Sequence, residues 1–289
     1  MRNTDEIRDF LTTRRAKITP ERAGLPVYGR QRRVSGLRRE EVALLAGISV
    51  EYYTRLERGT ARGVSDDVLD GVSRALQLDE AEREHLLDLV RTTNSERPPR
   101  RTSAPQRVRP SVQRIVDAMA GIPAFVRNGR LDILYANPLA AALYSEQFSD
   151  PVQPPNSARF GFLDPRAKTF YVEWQQAAHD VVAQLRGEAG RNPYDRTLSD
   201  LIGLLSTRSE EFRVLWASHD VRFHRSGTKR FHHPLVGDLT LSYEALELPA
   251  DPGLTIVTYS AEPASPSEEV LRELARWSST RAKLTATEA

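Results

Sequence analysis

The chain has 289 residues, enough for two compact units each with its own core, and its 39% apolar and 28% charged residues suit a soluble globular protein. It contains no Cys, which excludes disulfides, thiolate metal sites and cysteine nucleophiles together and suits a reducing compartment. Net charge is only +2, yet residues 1–62 hold 14 Lys or Arg against 8 Asp or Glu, so this end is +6 and the remainder −4; a basic end on an otherwise acidic chain points to a polyanion partner, with a solvated Arg-rich surface as the alternative.

The opening MRNTDEIRDF has acids where a signal peptide needs a basic start and an apolar run. No stretch approaches the ~18 apolar residues of a membrane span, so a cytoplasmic protein is expected. Residues 4–17 suit a first helix, REEVALLA (39–46) a second and SVEYYTRLERG (49–59) a third. SDDVLDGVSRALQL follows from Ser65, a good N-cap with acids in its first turn, and Asp79 with Glu82 three residues later resembles a capping box for a fifth. Residues 1–94 therefore predict an all-α domain of five helices.

SERPPRRTSAPQRVRP (95–110) packs four Pro and five Arg between periodic segments and reads as an extended linker. Beyond it, over 111–277, the pattern changes. PAFVRNGRLDILYAN (123–137) is two β-rich runs around Asn128 and Gly129, a hairpin signal, and DLTLSYEALEL (238–248) and LTIVTYSAE (254–262) read as strands. Helical segments lie between: PLAAALY from 138, a long one from Pro165 to about Arg186, one from about Asp195 to Ser206, and EEFRVLWASHDV from 210. Ser265, Pro266 and Glu268 start a final helix, and 278–289 is a tail. Antiparallel strands with helices segregated in the middle imply an α+β domain.

A helix-turn-helix needs a small residue in its first helix, a Gly at the turn and apolar inner faces, so that the helices pack closely at a steep angle. Ala43, Gly47, Ile48, Tyr53 and Leu56 occupy such positions, and Val42 and Ala46 complete the stripe. LRREEVALLAGISVEYYTRLERG resembles the helix-turn-helix of Xre-type regulators, related to the phage repressors. Its Arg-Arg-Glu-Glu and Glu-Tyr-Tyr-Thr-Arg-Leu-Glu forms are most similar to the MmyB-like actinobacterial subfamily. The resemblance implies a transcriptional regulator that binds double-stranded DNA sequence-specifically.

With helix 49–58 in the major groove, the residues facing DNA are those left over from the inner stripe: Val50, Glu51, Thr54 and Arg55. Arg55 suits a guanine edge, Glu51 a cytosine, and Val50 or Thr54 a thymine methyl. Ser49 caps this helix where a phosphate can approach, Arg39 at the start of the preceding helix is the leading phosphate candidate, and Arg58 reaches the backbone from the other end. Arg38, counted with Arg39 among the DNA-facing cations, stands where many Xre-type domains place a capping Ser or Thr, so that cap is lost unless Ser35 or a loop group replaces it. Tyr52 and Tyr53 cannot both face inward; Tyr53 takes the apolar position, leaving Tyr52 for phosphate or plain solvent. Arg15 and Glu57 resemble the structural ion pair that ties the first helix to the end of the recognition helix and are assigned to the fold, while Glu40 and Glu41 are assigned to the dipole of their own helix. The loop ITPERAGLPVYGRQRRVSG carries Arg30, Arg32 and Arg33, which either track phosphates or enter a narrow minor groove, or form a solvated loop. One such unit buries little surface, so a homodimer on a near-palindromic operator, with half-sites about 34 Å apart, is expected.

The second domain lacks a G-x-S-x-G elbow, a P-loop, an H-E-x-x-H and a dinucleotide fingerprint, so no enzyme and no cofactor are expected. His219, His224, His232 and His233 lie near Asp220 and Asp238, but their spacing matches no standard metal site, and structural hydrogen bonding is the expectation. Phe160, Phe162, Phe170, Trp174, Leu201, Leu205, Phe212 and Trp216 supply bulk that is either ordinary core or the wall of a small-molecule pocket. FRVLWASHDV, HHPLVGDLTLSYEALELPADPG and VTYSAEPASPSEEVLRELA resemble the ligand-binding domain of MmyB-like regulators. That resemblance implies a PAS-like domain and an apolar, fatty-acid-like ligand; by position Trp174, Phe212, Trp216 and His219 are expected near its pocket. The alternative is a constitutive regulator whose second domain only dimerises or docks a partner protein.

Overall fold

Charge placement marks the first helix: α1 (Asn3–Lys17) opens on Asp5 and Glu6 and closes on Arg14, Arg15 and Lys17, each sign matched to the helix dipole. The computed structural model describes residues 3–26, 34–60, 62–94, 106–218 and 225–287. The other helices of the amino-terminal bundle are α2 (Arg39–Ala46), α3 (Val50–Glu57), α4 (Asp66–Ala75) and α5 (Glu80–Asn94), so the expected five are present. Ser65 Oγ accepts from Val68 N at 3.4 Å to start α4. The capping box of α5 is reciprocal: Asp79 Oδ1 accepts from Glu82 N at 2.9 Å and the Glu82 carboxylate from Asp79 N at 3.0 Å.

Ile7, Phe10, Leu11, Leu37, Val42, Tyr53, Leu56, Leu69 and Leu86 are buried at the centre of this bundle. Two glycines do different work in it. Gly47 caps α2 with φ +70°, a left-handed conformation that a side chain resists. Gly71 is held by space, because a Cβ there would lie 2.7 Å from the Ala46 carbonyl oxygen.

The described chain divides into two units: Met1–Arg101 with Arg186–Leu201 and Val214–Arg222, and Thr102–Leu185 with Ile202–Arg213 and Phe223–Ala289. In the first, three buried or nearly buried arginines each meet a carboxylate: Arg14 with Glu82 at 3.0 Å, Arg15 with Glu57 at 2.7 Å and Arg186 with Glu6 at 3.1 Å. Arg186 also lies over the Trp216 ring, 4.3 Å from its centroid. Gly190 packs where a Cβ would come within 2.8 Å of the His85 ring.

The second unit is built on one antiparallel sheet. In chain order α6 (Pro110–Ala118) precedes β1 (Ala124–Asn128) and β2 (Ile133–Ala136), then α7 (Pro138–Leu143), α8 (Ser145–Phe148), α9 (Ser157–Leu163), α10 (Ala167–Phe170), α11 (Trp174–Arg191), α12 (Arg196–Arg208) and α13 (Glu210–Ala217), the end of α11, the start of α12 and the end of α13 belonging to the first unit. The chain closes with β3 (Ser226–His233), β4 (Gly237–Glu247), β5 (Leu254–Ser260) and α14 (Pro266–Thr287). Strand order is β2-β1-β5-β4-β3, with Phe125 opposite Val257 and Tyr243 opposite Tyr259. Strand alternation gives the sheet two faces. Ala124, Val126, Leu254 and Ile256 pack with Val112 and Val116 of α6. Phe125, Val257, Tyr259, Leu241 and Phe231 turn the other way and form the larger core with α7, α9, α10 and α14.

The hairpin forms, but its loop spans four residues rather than the Asn-Gly pair. Asn128 Oδ1 accepts from the Arg130 and Asp132 backbone N–H groups at 3.0 Å each, and Leu131 takes φ +67°. The long helix expected from Pro165 to about Arg186 is instead two, α10 and α11. Between them the chain extends: Tyr171 forms a bridge to Phe231, and Val172 N donates to Arg230 O at 3.1 Å. Pairing to the edge of β3 thus overrides a helical pattern. β3 itself has little apolar alternation to announce it, since Phe231 and His233 are its only fully buried residues.

Candidate functional site

α3 is short and its faces are sharply divided. Tyr53, Leu56 and Glu57 are buried, while Ser49, Val50, Glu51, Arg55 and Arg58 are exposed and Tyr52 and Thr54 half-buried. Ser49 Oγ accepts from Tyr52 N at 3.1 Å, which closes the helix start. The Arg55 guanidinium lies over the Tyr52 ring, 5.4 Å from its centroid, so Tyr52 stiffens the side chain beside it. Before the turn, on α2, Leu44 is 72% exposed.

Glu57 anchors the back of this helix. It is 1% exposed and takes Arg15 on one oxygen and Arg39 on the other, with Tyr53 Oη 3.5 Å from the first. Arg39, half exposed, thus serves the scaffold as well as the outer surface. Arg38 offers no capping oxygen to α2, and Glu41 answers for the other half of the motif by accepting from Arg38 N at 2.6 Å. Arg30, Arg32 and Arg33 lie outside the described residues.

The second site is a cavity in the sheet unit, between the strand face of the larger core and α9 and α11. Phe125, Tyr144, Tyr171, Trp174 and Tyr259 supply aromatic walls, and Arg127, Lys229 and Asp180 bring charge to it. Trp174 is fixed there by donating from Nε1 to the Gly161 carbonyl at 2.9 Å. The space left for water is about 30 Å³, room for only a couple of molecules. Tyr144 and Tyr259 share a hydrogen bond of 2.6 Å between their hydroxyls. Burial pushes the phenols of Tyr144, Tyr171 and Tyr259 upward, so all remain protonated at neutral pH. Burial pushes Lys229 down to about 8, with Arg127 repelling it and Asp180 opposing both effects. The ammonium lies 5.1 Å from the Tyr243 ring centroid and 6.0 Å from that of Tyr171.

Residues 108–274, more than half the chain, match the model of the MmyB-like transcription regulator ligand binding domain, and residues 29–86 match a helix-turn-helix domain. The chain belongs to the MmyB-like transcription regulators. No curated protein matches it. Both matched domains are regulatory, one binding DNA and the other a ligand, and among the described residues no helix is long and apolar enough to cross a membrane.

In this MmyB-like regulator, Trp174 is the one of the residues expected at the ligand pocket that lines this cavity among the described residues. Phe212 is fully buried and packs edge-to-face on Phe162 at 5.1 Å, so its bulk is core. Trp216 belongs to the first unit and stacks on Arg186. His219, like Asp220 and His224, lies outside the described residues. His232 Nδ1 is 2.6 Å from Asp238 and His233 Nε2 is 3.0 Å from the Ala142 carbonyl oxygen, the structural bonding expected of them. What the sequence reading missed is the charge. A signal was present, since Arg127 is in phase with Phe125 on β1 and Lys229 with Phe231 on β3, a cation two residues from an inward aromatic each time.

Proposed function

We propose that this regulator binds a near-palindromic operator as a homodimer and responds to a small apolar, fatty-acid-like ligand held in a PAS-like second domain. It works in the cytoplasm and carries out no chemistry of its own. The observation that carries the reading is the division of α3: the buried Glu57 face is tied down by Arg15 and Arg39, and Val50, Glu51 and Arg55 remain exposed on a capped helix. Exposed donors and acceptors on a rigid rod suit base edges in a major groove. Ser49, Tyr52, Thr54 and Arg58 complete the contact surface, with Arg38 and Arg39 on phosphates and Arg30, Arg32 and Arg33 on the flanking backbone. A ligand acts by favouring one dimer geometry over another, and a tenfold change in operator affinity needs only ~1.4 kcal/mol of coupling.

The test is footprinting on the DNA flanking its own gene, with and without lipid extract. Two protected half-sites whose occupancy changes with extract are expected. A single protected half-site overturns the dimer, and protection indifferent to every extract favours a constitutive regulator. Within the footprint, Arg55→Ala relaxes preference at one base pair by ~1–3 kcal/mol, whereas Arg58→Ala weakens all sequences alike and flattens the salt dependence.

A further inference from the structure

α1 grips α3 at both ends. Near the close of α1, Arg15 holds Glu57 at 2.7 Å. Near its start, Thr4 lies so close to Gly59, two residues past α3, that a Cβ on Gly59 would come within 2.5 Å of the Thr4 carbonyl oxygen. A shift of α1 is therefore passed to α3. Part of what holds α1 comes from far along the chain. Arg186, 1% exposed, donates to the Glu6 carboxylate at 3.1 Å and to the Trp216 carbonyl oxygen, and lies over the Trp216 ring. One turn later Gly190 packs where any side chain would strike the His85 ring, and the Thr92 hydroxyl lies 3.3 Å from its carbonyl oxygen. Glycine is a poor helix former, so its use at this point of α11 serves the close approach. The fit is tight but incomplete: His85, edge-on to Phe10 at 5.2 Å, has neither ring nitrogen hydrogen-bonded among the described residues. A buried polar ring without partners is unfavourable, and withdrawal of Gly190 returns it to water. The contact is firm at Arg186 and poised to open at Gly190.

α11 gives residues to both units. Trp174, Ala177, Ala178, Val181 and Gln184 line the cavity of the second, and Arg186, two residues after Gln184, belongs to the first. The helix runs without a break or a Pro from Trp174 to Arg191, so its hydrogen-bonded backbone moves as one piece. We propose that α11 is the regulatory element of this chain: a change in how the cavity is filled moves α11, Arg186 and Gly190 loosen on Glu6 and His85, and α1 relaxes its grip on α3. The proposal rests on the reading of the second domain as a small-molecule sensor and names the route from the cavity to the DNA-reading helix. The chemistry of the occupant does not enter it.

Hydrogen exchange on the full chain, with neither DNA nor ligand present, tests the route. Ala178→Leu adds bulk on the cavity face of α11 at a buried position. Exchange of the α1 amides then rises about 5-fold or more, the lower end of ordinary coupling between sites, while β5 keeps its protection. Arg186→Met alone raises α1 exchange to a similar extent, and adding Ala178→Leu to it changes α1 no further, as expected of two residues acting through one contact. Where β5 loses protection in Ala178→Leu, Ala177→Leu, half-buried on the same cavity face, takes its place. The route is overturned by α1 exchange that ignores the cavity variant, that ignores Arg186→Met, or that rises as much in the double variant as the two single effects combined. Because the readout needs no operator and no ligand, failure of the route leaves the regulator reading standing, and a wild-type chain indifferent to DNA leaves the exchange result in force.

Discussion

The two units treat their inward-facing cations in opposite ways. In the first, Arg14, Arg15 and Arg186 each reach a carboxylate within about the length of a hydrogen bond, and His85, buried with neither ring nitrogen hydrogen-bonded among the described residues, is kept neutral, its pKa lowered to about 3 by burial and by the Arg186 charge. In the second, Arg127 and Lys229 line a cavity with the single acid Asp180, and among the described residues neither has a carboxylate at hydrogen-bond length. A domain that has to hold a helix rigid against a polyanion settles its own charges internally.

The comparison breaks most visibly at Glu57. Glu57→Leu leaves Arg15, only 14% exposed, without its carboxylate and frees Arg39, so denaturant unfolding of the first unit should lose about 3–5 kcal/mol. A cost near zero would mean that the paired arginines matter no more to stability than the unpaired ones. His85 comes next. An unfolded chain protonates this ring below the ordinary value of 6.5, while the folded protein holds it neutral down to about 3. The stability it contributes is complete above 6.5 and is lost as pH falls through that window, by about 1.4 kcal/mol per pH unit. Denaturation midpoints between pH 7.5 and 5 check this, and His85→Leu should flatten the slope. Ser49→Ala is the mildest change. It removes the cap of α3 and should cost about 1 kcal/mol while lowering operator affinity, with bases outside the footprint unaffected.

Much of the architecture was legible in the chain. Ser65, Asp79 with Glu82, and Ser265 with Pro266 mark helix starts by local chemistry, and local chemistry is what a sequence displays. α3 was readable for the same reason, since its inner stripe and its cap lie within ten residues of one another. The break between α10 and α11 was not, because it depends on Tyr171 meeting Phe231 from a strand some sixty residues later. The cavity was harder still. Arg127 and Lys229 come from β1 and β3, which are not neighbours in the sheet, and only the folded order brings them to one space. Phe212 and Trp216 do not line this cavity, and aromatic bulk alone does not distinguish a pocket wall from a filled interior.

Glu57 clasping Arg15 and Arg39 has one further outcome. The clasp is centred on the buried face of α3, so exchanges of Val50, Glu51 or Arg55 on its exposed row leave Arg15 and Arg39 paired to Glu57 and the helix in place. A change at Glu57, by contrast, strips both arginines of their carboxylate at once.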